Sequence, residues 1–158
     1  MKKVFNLGLL LMLSFSLMSS MCSSDDDDGN SNNNSQQIAE IVNTAQSGTW
    51  RVANFNDSGQ NETSNFNGYD FSFNADGSLV ATNGANTMEG TWSVTDDSNS
   101  SSNDDDIDFN IFFPVPESND FEDLNDDWDV VMTTSTRIEL IDVSGGNGGT
   151  DMLIFEKN

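Results

Sequence analysis

Two dense clusters of carboxylates are the residues of this sequence that most readily suggest chemistry. They lie in "NSSSNDDDID", Asn99 to Asp108, and in "LNDDWD", Leu124 to Asp129. Ca²⁺ takes six to eight oxygen ligands, and such clusters can supply several of them. Neither stretch has the spacing or the glycine of an EF-hand loop, so we expect weak, non-selective Ca²⁺ binding without a formed metal site. If a calcium-selective site did form, its first candidate ligands would be Asp104, Asp106, Asp108, Asp126 and Asp129.

Catalysis is not expected from these acids. The sequence contains no histidine, which excludes imidazole metal sites, Ser-His-Asp triads and Cys-His pairs. Two carboxylates can hydrolyse glycosides, but an apolar pocket must then raise the pKa of one of them. No residue in the sequence is isolated in that way, and Glu89, between Met88 and Gly90, can face outward from a strand. We therefore predict a protein that is not an enzyme and has no cofactor.

The single cysteine, Cys22, follows a stretch that is typical of a signal peptide. Lys2 and Lys3 precede the apolar run "VFNLGLLLMLSFSLM", Val4 to Met18. This run is as long as the apolar core of a signal peptide and shorter than the roughly 20 residues of a membrane span. One cysteine cannot form an internal disulfide, so a disulfide-stapled secreted domain is excluded. We predict that residues 1–21 are a signal peptide, and a signal anchor is the alternative.

The position of Cys22 resembles the lipobox of bacterial lipoproteins. That resemblance implies that Cys22 is acylated, carries chains such as palmitate, and becomes the N-terminus of the mature protein. Ser19 and Met21 depart from the lipobox pattern, which usually has an aliphatic residue and Gly, Ala or Ser at these two positions. The alternative is an ordinary secretory signal cleaved near Ser19 or Ser20, with Cys22 incidental.

Residues 22–37 are predicted to form a disordered tether that starts at the lipidated cysteine. The segment "SSDDDDGNSNNNSQQ", Ser23 to Gln37, has no apolar side chain to bury, and its adjacent aspartates repel one another. The acidic run also resembles the export signal of surface-exposed lipoproteins in Bacteroidetes, which implies an outer-membrane protein that faces outward. A merely solubilising linker is the alternative. The residues of this export signal would be Asp25, Asp26, Asp27 and Asp28.

The charge of the chain limits its partners. Without residues 1–21, three basic side chains, Arg51, Arg137 and Lys157, stand against 27 acidic ones, a side-chain charge of 3 − 27 = −24. Such a surface excludes a site that reads nucleic-acid phosphates, and it repels anionic phospholipids. We therefore expect contact with the lipid bilayer through the acyl chains alone.

Residues 38–158 are predicted to form one all-β domain. Apolar residues alternate with polar ones in eight short segments between turn signals, as in "GYDFSFN" and "DIDFNIFF". "NADG", Asn74 to Gly77, is typical of a hairpin turn, and Gln36–Ser47 can form a short helix or lead-in. Glu117–Asp127 is the one longer connection with helical character. Eight antiparallel strands, each apolar on one face, can close into an up-and-down barrel, and a two-sheet sandwich is the alternative.

The order of these segments resembles the lipocalin-like lipoprotein domains of Bacteroidetes over about residues 48–157. The matching stretches include "GTWRV", "GYDFSFNADGSLVATNG", "GTWSV" and "RIELIDVSGGNGGTDMLIFEK". The resemblance implies that Trp50, of the Gly-x-Trp opening at Gly48, packs across the closed end of a barrel. It also implies that a basic residue, Arg137 or Lys157, covers this tryptophan. Lipocalins usually have a helix after the eighth strand, a feature that residues 48–158 do not predict.

The aromatic residues at alternating positions can fill a core or line a ligand pocket, and the sequence leaves both open. A lipocalin-like barrel favours a monomer that binds a small apolar or amphipathic ligand in its mouth. The alternative is a non-catalytic interaction module of the cell envelope that binds a protein or glycan through its exterior and loops. The candidate ligand-binding residues are Trp50, Tyr69, Phe71, Phe73, Met88 and Trp92.

Overall fold

The computed structural model describes residues 31–96, 107–143 and 149–158, with side chains from residue 34 onward. The predicted signal peptide, Cys22, the acidic run Asp25–Asp28, and Asp104 and Asp106 therefore lie outside the described residues. No helix of the described part is both long enough and apolar enough to cross a membrane.

The described residues form one helix, two 3-10 turns and nine strands. The helix α1 spans Ser31–Ala45, and the 3-10 turns span Thr63–Phe66 and Glu122–Leu124. The strands are β1 (Trp50–Asp57), β2 (Gln60–Asn61), β3 (Asp70–Phe73), β4 (Ser78–Thr82), β5 (Thr87–Asp96), β6 (Ile107–Phe112), β7 (Asp126–Thr134), β8 (Arg137–Asp142) and β9 (Asp151–Lys157).

Eight of the strands close into an antiparallel up-and-down barrel, as predicted. The order is β1-β3-β4-β5-β6-β7-β8-β9, and β9 pairs with β1 to close the ring. The closing seam runs from Trp50 opposite Lys157 to Asn56 opposite Met152, with one irregularity between Val52 and Asn54. Closure satisfies the backbone groups that an open sheet would expose at its two edges. The two-sheet sandwich is thereby excluded.

The ninth strand, β2, was not predicted. It contains two residues and pairs with the end of β1, so that Asn61 lies opposite Asn56. The predicted hairpin turn between β3 and β4 is present: Gly77 has φ +81°, and its N–H donates to Asn74 O at 3.0 Å. A positive φ is readily adopted only by glycine, which explains the residue at this turn.

The helix α1 packs against β5 and β7. Its apolar residues follow helical spacing, with Ile41 and Ala45 buried and Ile38 and Val42 packed against the same core. It begins at Ser31, whereas the predicted domain began at residue 38, so residues 31–37 of the predicted tether are helical. Asn34 is buried there, and its Nδ2 donates to Asp96 Oδ2 of β5 at 3.3 Å.

The connection at Glu117–Asp127 contains less helix than predicted. It forms turns and the 3-10 turn Glu122–Leu124, whose Leu124 is fully buried, and its last two residues already belong to β7. Asn119 Oδ1 accepts from Phe121 N at 3.0 Å, and this local side-chain bond competes with helix formation.

Candidate functional site

The interior of the barrel is packed with aromatic rings. The ring of Phe71 lies 6.5 Å from that of Phe113 and 5.3 Å from that of Phe155, measured between centroids. The ring of Phe73 lies 5.2 Å from that of Phe109 and 5.5 Å from that of Phe155. Most of these pairs are edge-to-face, the arrangement that aromatic rings favour in protein cores. The large side chains at these positions occupy much of the barrel interior.

The six predicted ligand-binding residues lie in or against this core. Four are buried, with exposed fractions of 0% for Trp50 and Phe71, 3% for Phe73 and 6% for Trp92. Tyr69 and Met88 are half-buried and pack against the same cluster. Trp92 also lines a surface groove. A direct role of these residues in ligand binding stays a prediction.

Trp50 ties the helix to the barrel. Its indole N–H donates to Ala45 O, the last residue of α1, at 2.8 Å. Lys157 Nζ lies 5.9 Å from the ring centroid and donates to Ser47 Oγ at 2.9 Å. A side chain at Gly48 would place its Cβ 2.7 Å from Lys157 Cε, so glycine leaves the space that the lysine occupies. The expected cover of the tryptophan by a basic residue is therefore confirmed for Lys157.

Arg137, the other candidate for this cover, is held elsewhere. Its Nη2 lies 3.1 Å from Glu139 Oε2, and its Nη1 lies 3.3 Å from Glu156 Oε1. Arg51 also pairs with Glu156, at 2.5 Å. All three basic side chains of the described residues thus belong to the neighbouring strands β1, β8 and β9.

A groove between α1 and the end of β7 is the larger of two described surface cavities, with a volume of about 660 Å³. We call it the helix groove. Val131 and Met132 are 52% and 41% exposed, which is unusual for large apolar side chains. Thr133 also lines the groove, and within the described residues its buried Oγ1 has no hydrogen-bond partner. The lining comprises Gln36, Gln37, Glu40, Ile41, Thr44, Val130, Val131, Met132, Thr133, Thr134 and Ser135.

The shape of the helix groove depends on an irregularity in β7. The pairing of β7 with β8 shifts register between Val130 and Met132. A bulge of this kind interrupts the alternation of side chains between the two faces of a strand. It accounts for the adjacent exposure of Val131 and Met132, because regular alternation along the strand would place Met132 on the same face as the buried Trp128.

A second groove, with a volume of about 570 Å³, lies on β5 and β6. We call it the Phe112 groove, because the ring of Phe112 is 54% exposed there. Sequence alternation could have located this ring: in "DIDFNIFF" the positions of Ile107, Phe109 and Ile111 face the core, which leaves Phe112 outside. The lining comprises Thr91, Trp92, Ser93, Asn110, Ile111, Phe112, Asn125 and Asp126.

The predicted calcium ligands are only partly described. Asp108 lies directly opposite Asp129 in the β6–β7 ladder, and Asp126 lies three residues before Asp129 on β7. In the described ranges, no three Asp, Glu, Cys or His side chains are grouped closely enough to hold a metal ion. Weak and non-selective Ca²⁺ binding stays a prediction.

No protein-family model matches the chain, and no curated protein matches it. Among solved structures, the chain is similar to a DUF4847 family protein from Bacteroides vulgatus ATCC 8482, with 21% sequence identity and a TM-score of 0.44. The alignment covers 72% of this chain and 94% of the other. At this similarity the barrel assignment rests on the strand pairing of the chain itself.

Asp126 has a strongly perturbed carboxyl. Burial raises its pKa to about 6, and a hydrogen bond with the Asp127 side chain and the nearby charge of Asp142 act in the same direction. Because the folded state holds this proton more tightly than the unfolded state does, the contribution of Asp126 to stability is fully present below about pH 4. It is lost as the pH rises through about 6.

We therefore expect Asp126→Asn to stabilise the protein at pH 8 and to have little effect at pH 4. The carboxyl is partly exposed, so solvent screening reduces the gain to about 1 kcal/mol. Thermal unfolding followed by circular dichroism across this pH range measures the difference. Asp76→Asn is the opposite control: the hydroxyl and N–H of Ser78 lower the pKa of Asp76, so its loss should destabilise at pH 7 but not at low pH. Equal effects of Asp126→Asn at both pH values would contradict the assignment.

Proposed function

We propose that this chain is a lipoprotein anchored through Cys22 in the bacterial outer membrane, facing outward, and that its barrel is a non-catalytic binding module. Support for the anchor comes from the sequence, in which a signal-like segment precedes Cys22 and an acidic run follows it. We further propose that the module binds a small amphipathic ligand in the helix groove. The lipocalin-like resemblance favours such a ligand, and the packed interior favours a site at the helix over one inside the barrel.

The observation that carries this proposal is the helix groove itself. Its volume of about 660 Å³ lies within the range of small-molecule sites. Val131 and Met132 offer apolar surface, while Gln36 and Gln37 offer amide donors and acceptors. This combination matches a ligand with one apolar part and one polar part.

Native mass spectrometry of the protein purified from its own host tests the proposal. We expect a small molecule to be retained by the wild type. Gln37→Trp should reduce its retention, because the larger side chain fills the groove from an exposed helix position. Asn43→Trp is the matched control, since Asn43 is also exposed on α1 but does not line the groove. A wild type without a retained molecule, or equal retention in both variants, would contradict the helix groove as a ligand site.

A non-catalytic envelope module that binds through its exterior is the second candidate function. The Phe112 groove favours it, because an exposed aromatic ring lies there on an otherwise polar face of the barrel. The two functions do not exclude each other, since the grooves share no lining residue.

A further inference from the structure

The outer face of β5 and β6 presents a flat aromatic ring among small polar side chains. Thr91 lies directly opposite Phe112 in the ladder, and Ser93 lies opposite Asn110. Residues two apart on a strand share a face, so these four side chains form one patch. Thr91 and Ser93 are exposed, and Phe112 is 54% exposed.

The backbone around the ring is held firmly. A Cβ at Gly90 would overlap Phe112 O and would lie 2.9 Å from Phe113 Cδ1, so β5 approaches β6 closely at this point. Asn125 binds both backbone groups of Phe113, the residue that follows Phe112. Its Oδ1 accepts from Phe113 N at 2.5 Å, and its Nδ2 donates to Phe113 O at 3.0 Å. The backbone that carries the ring therefore loses little freedom when a ligand packs on the ring.

One polar partner in the patch is also oriented in advance. Asn110 Nδ2 donates to Thr95 Oγ1 at 2.9 Å, which directs the amide along the surface of β5. The amide oxygen remains an acceptor, and the hydroxyls of Thr91 and Ser93 can each donate and accept. Such groups match a ligand that carries several hydroxyls.

The charges of the lining restrict the ligand further. No lysine or arginine lines the Phe112 groove. The three basic side chains of the described residues bind elsewhere. Arg51 and Arg137 pair with Glu156, and Arg137 also pairs with Glu139. Lys157 donates to Ser47, in the segment before β1. An anionic ligand would find no counter-charge in the lining and would be repelled by the acidic surface. The ligand should therefore carry no negative charge.

A protein partner fits this patch less well. A stable protein interface buries about 800 Å² on each side and is centred on a cluster of large anchors. The exposed apolar surface of the Phe112 groove is a single ring bordered by hydroxyls and amides. A sugar ring has the complementary form, with C–H groups on its face and hydroxyls at its edge. We propose that the Phe112 groove binds a neutral saccharide, which stacks on Phe112 while Thr91, Ser93 and Asn110 bind its hydroxyls.

This assignment deepens the second candidate function and does not depend on a ligand in the helix groove. Isothermal titration calorimetry of the purified full-length mature protein tests it, with β-1,4-linked hexaoses of glucose, mannose and xylose as probes. We expect at least one of them to bind with a dissociation constant of about 1 mM or lower. Gln37→Trp should bind the same saccharide as the wild type does, so failure at the helix groove and failure here are distinguishable.

The variants separate stacking from general apolar contact. Phe112→Leu keeps an apolar side chain but removes the flat ring, and it should weaken saccharide binding at least about tenfold, or about 1.4 kcal/mol. Thr91→Val keeps the shape and removes one hydroxyl, so it should weaken binding by a smaller factor. Val143→Ala, at an exposed apolar position outside both grooves, should have no effect. The proposal is overturned if none of the three saccharides binds at about 10 mM, or if Phe112→Leu binds as tightly as the wild type.

Discussion

Replacing Trp50 by alanine should lower the free energy of unfolding by about 3–5 kcal/mol, as truncations of large buried aromatic residues do. Trp50 is completely buried and begins β1, where it lies opposite both Phe71 of β3 and Lys157 of β9. Trp50 and Phe71 form the one register pair between β1 and β3. The Trp50 side chain therefore supports the seam of the barrel that has the fewest paired residues. Its indole also anchors the end of α1 through Ala45 O, at 2.8 Å.

Equilibrium unfolding in urea measures this loss, and Trp50→Phe is the matched control. The phenyl ring preserves most of the buried apolar area but removes the indole N–H, which leaves Ala45 O without its donor. We expect this conservative variant to lose about 1–3 kcal/mol, the usual penalty for an unsatisfied buried polar group. If Trp50→Ala lost less than about 1 kcal/mol, the tryptophan would contribute no more than a surface residue does, and its role at the barrel end would be wrong.

The barrel was predictable because its strands carry a strong alternating pattern. In "GYDFSFN" and "DIDFNIFF" each inward position is a large apolar residue, and the structure buries Phe71, Phe73, Phe109 and Ile111 as the alternation requires. A two-residue strand such as Gln60–Asn61 has no such pattern, because alternation needs several residues to show. β2 therefore could not be read from the sequence.

The start of α1 was not predictable for a different reason. The segment "SNNNS", Ser31 to Ser35, consists of residues that favour caps, turns and linkers over helix interiors. Its helical form depends on contacts distant in sequence, such as the bond between Asn34 and Asp96. Tertiary packing supplies most of the stability of short helices, and local composition does not reveal it.

The two grooves differ in how far the sequence could reveal them. The outward position of Phe112 follows from the alternation of β6, so the ring could be found even though its polar neighbours on β5 could not be assigned without the register. The helix groove depends on the register shift at Val130 and on the placement of α1 beside β7. Neither feature produces a periodic pattern of apolar residues in the sequence. Residues distant in the chain meet at the helix groove, as they also do at the barrel end that contains Trp50. At Trp50, however, the Gly-x-Trp pattern indicated the position of the residue from the sequence.

Replacing Cys22 by serine should release the protein from the membrane fraction. The prediction rests on the signal-like segment before Cys22 and the acidic tether after it. Acyl chains contribute about 0.8 kcal/mol of membrane affinity for each buried CH₂, so a diacylated cysteine holds a protein firmly. A mature side-chain charge of −24 offers no attraction to anionic lipid that could replace them. Fractionation of cells that express the wild type or Cys22→Ser, followed by immunoblotting, measures the change.

Replacement of Asp25, Asp26, Asp27 and Asp28 by alanine separates anchoring from export. This variant keeps Cys22, so it should remain in the membrane fraction with its acyl chains attached. If the acidic run directs the protein to the cell surface, the folded domain should become resistant to protease added to whole cells, while the wild type is degraded. Equal protease sensitivity of both proteins would leave the run as a solubilising linker. A Cys22→Ser protein that partitions like the wild type would contradict the anchor itself, because the remaining acidic chain then holds the membrane by some means other than acylation.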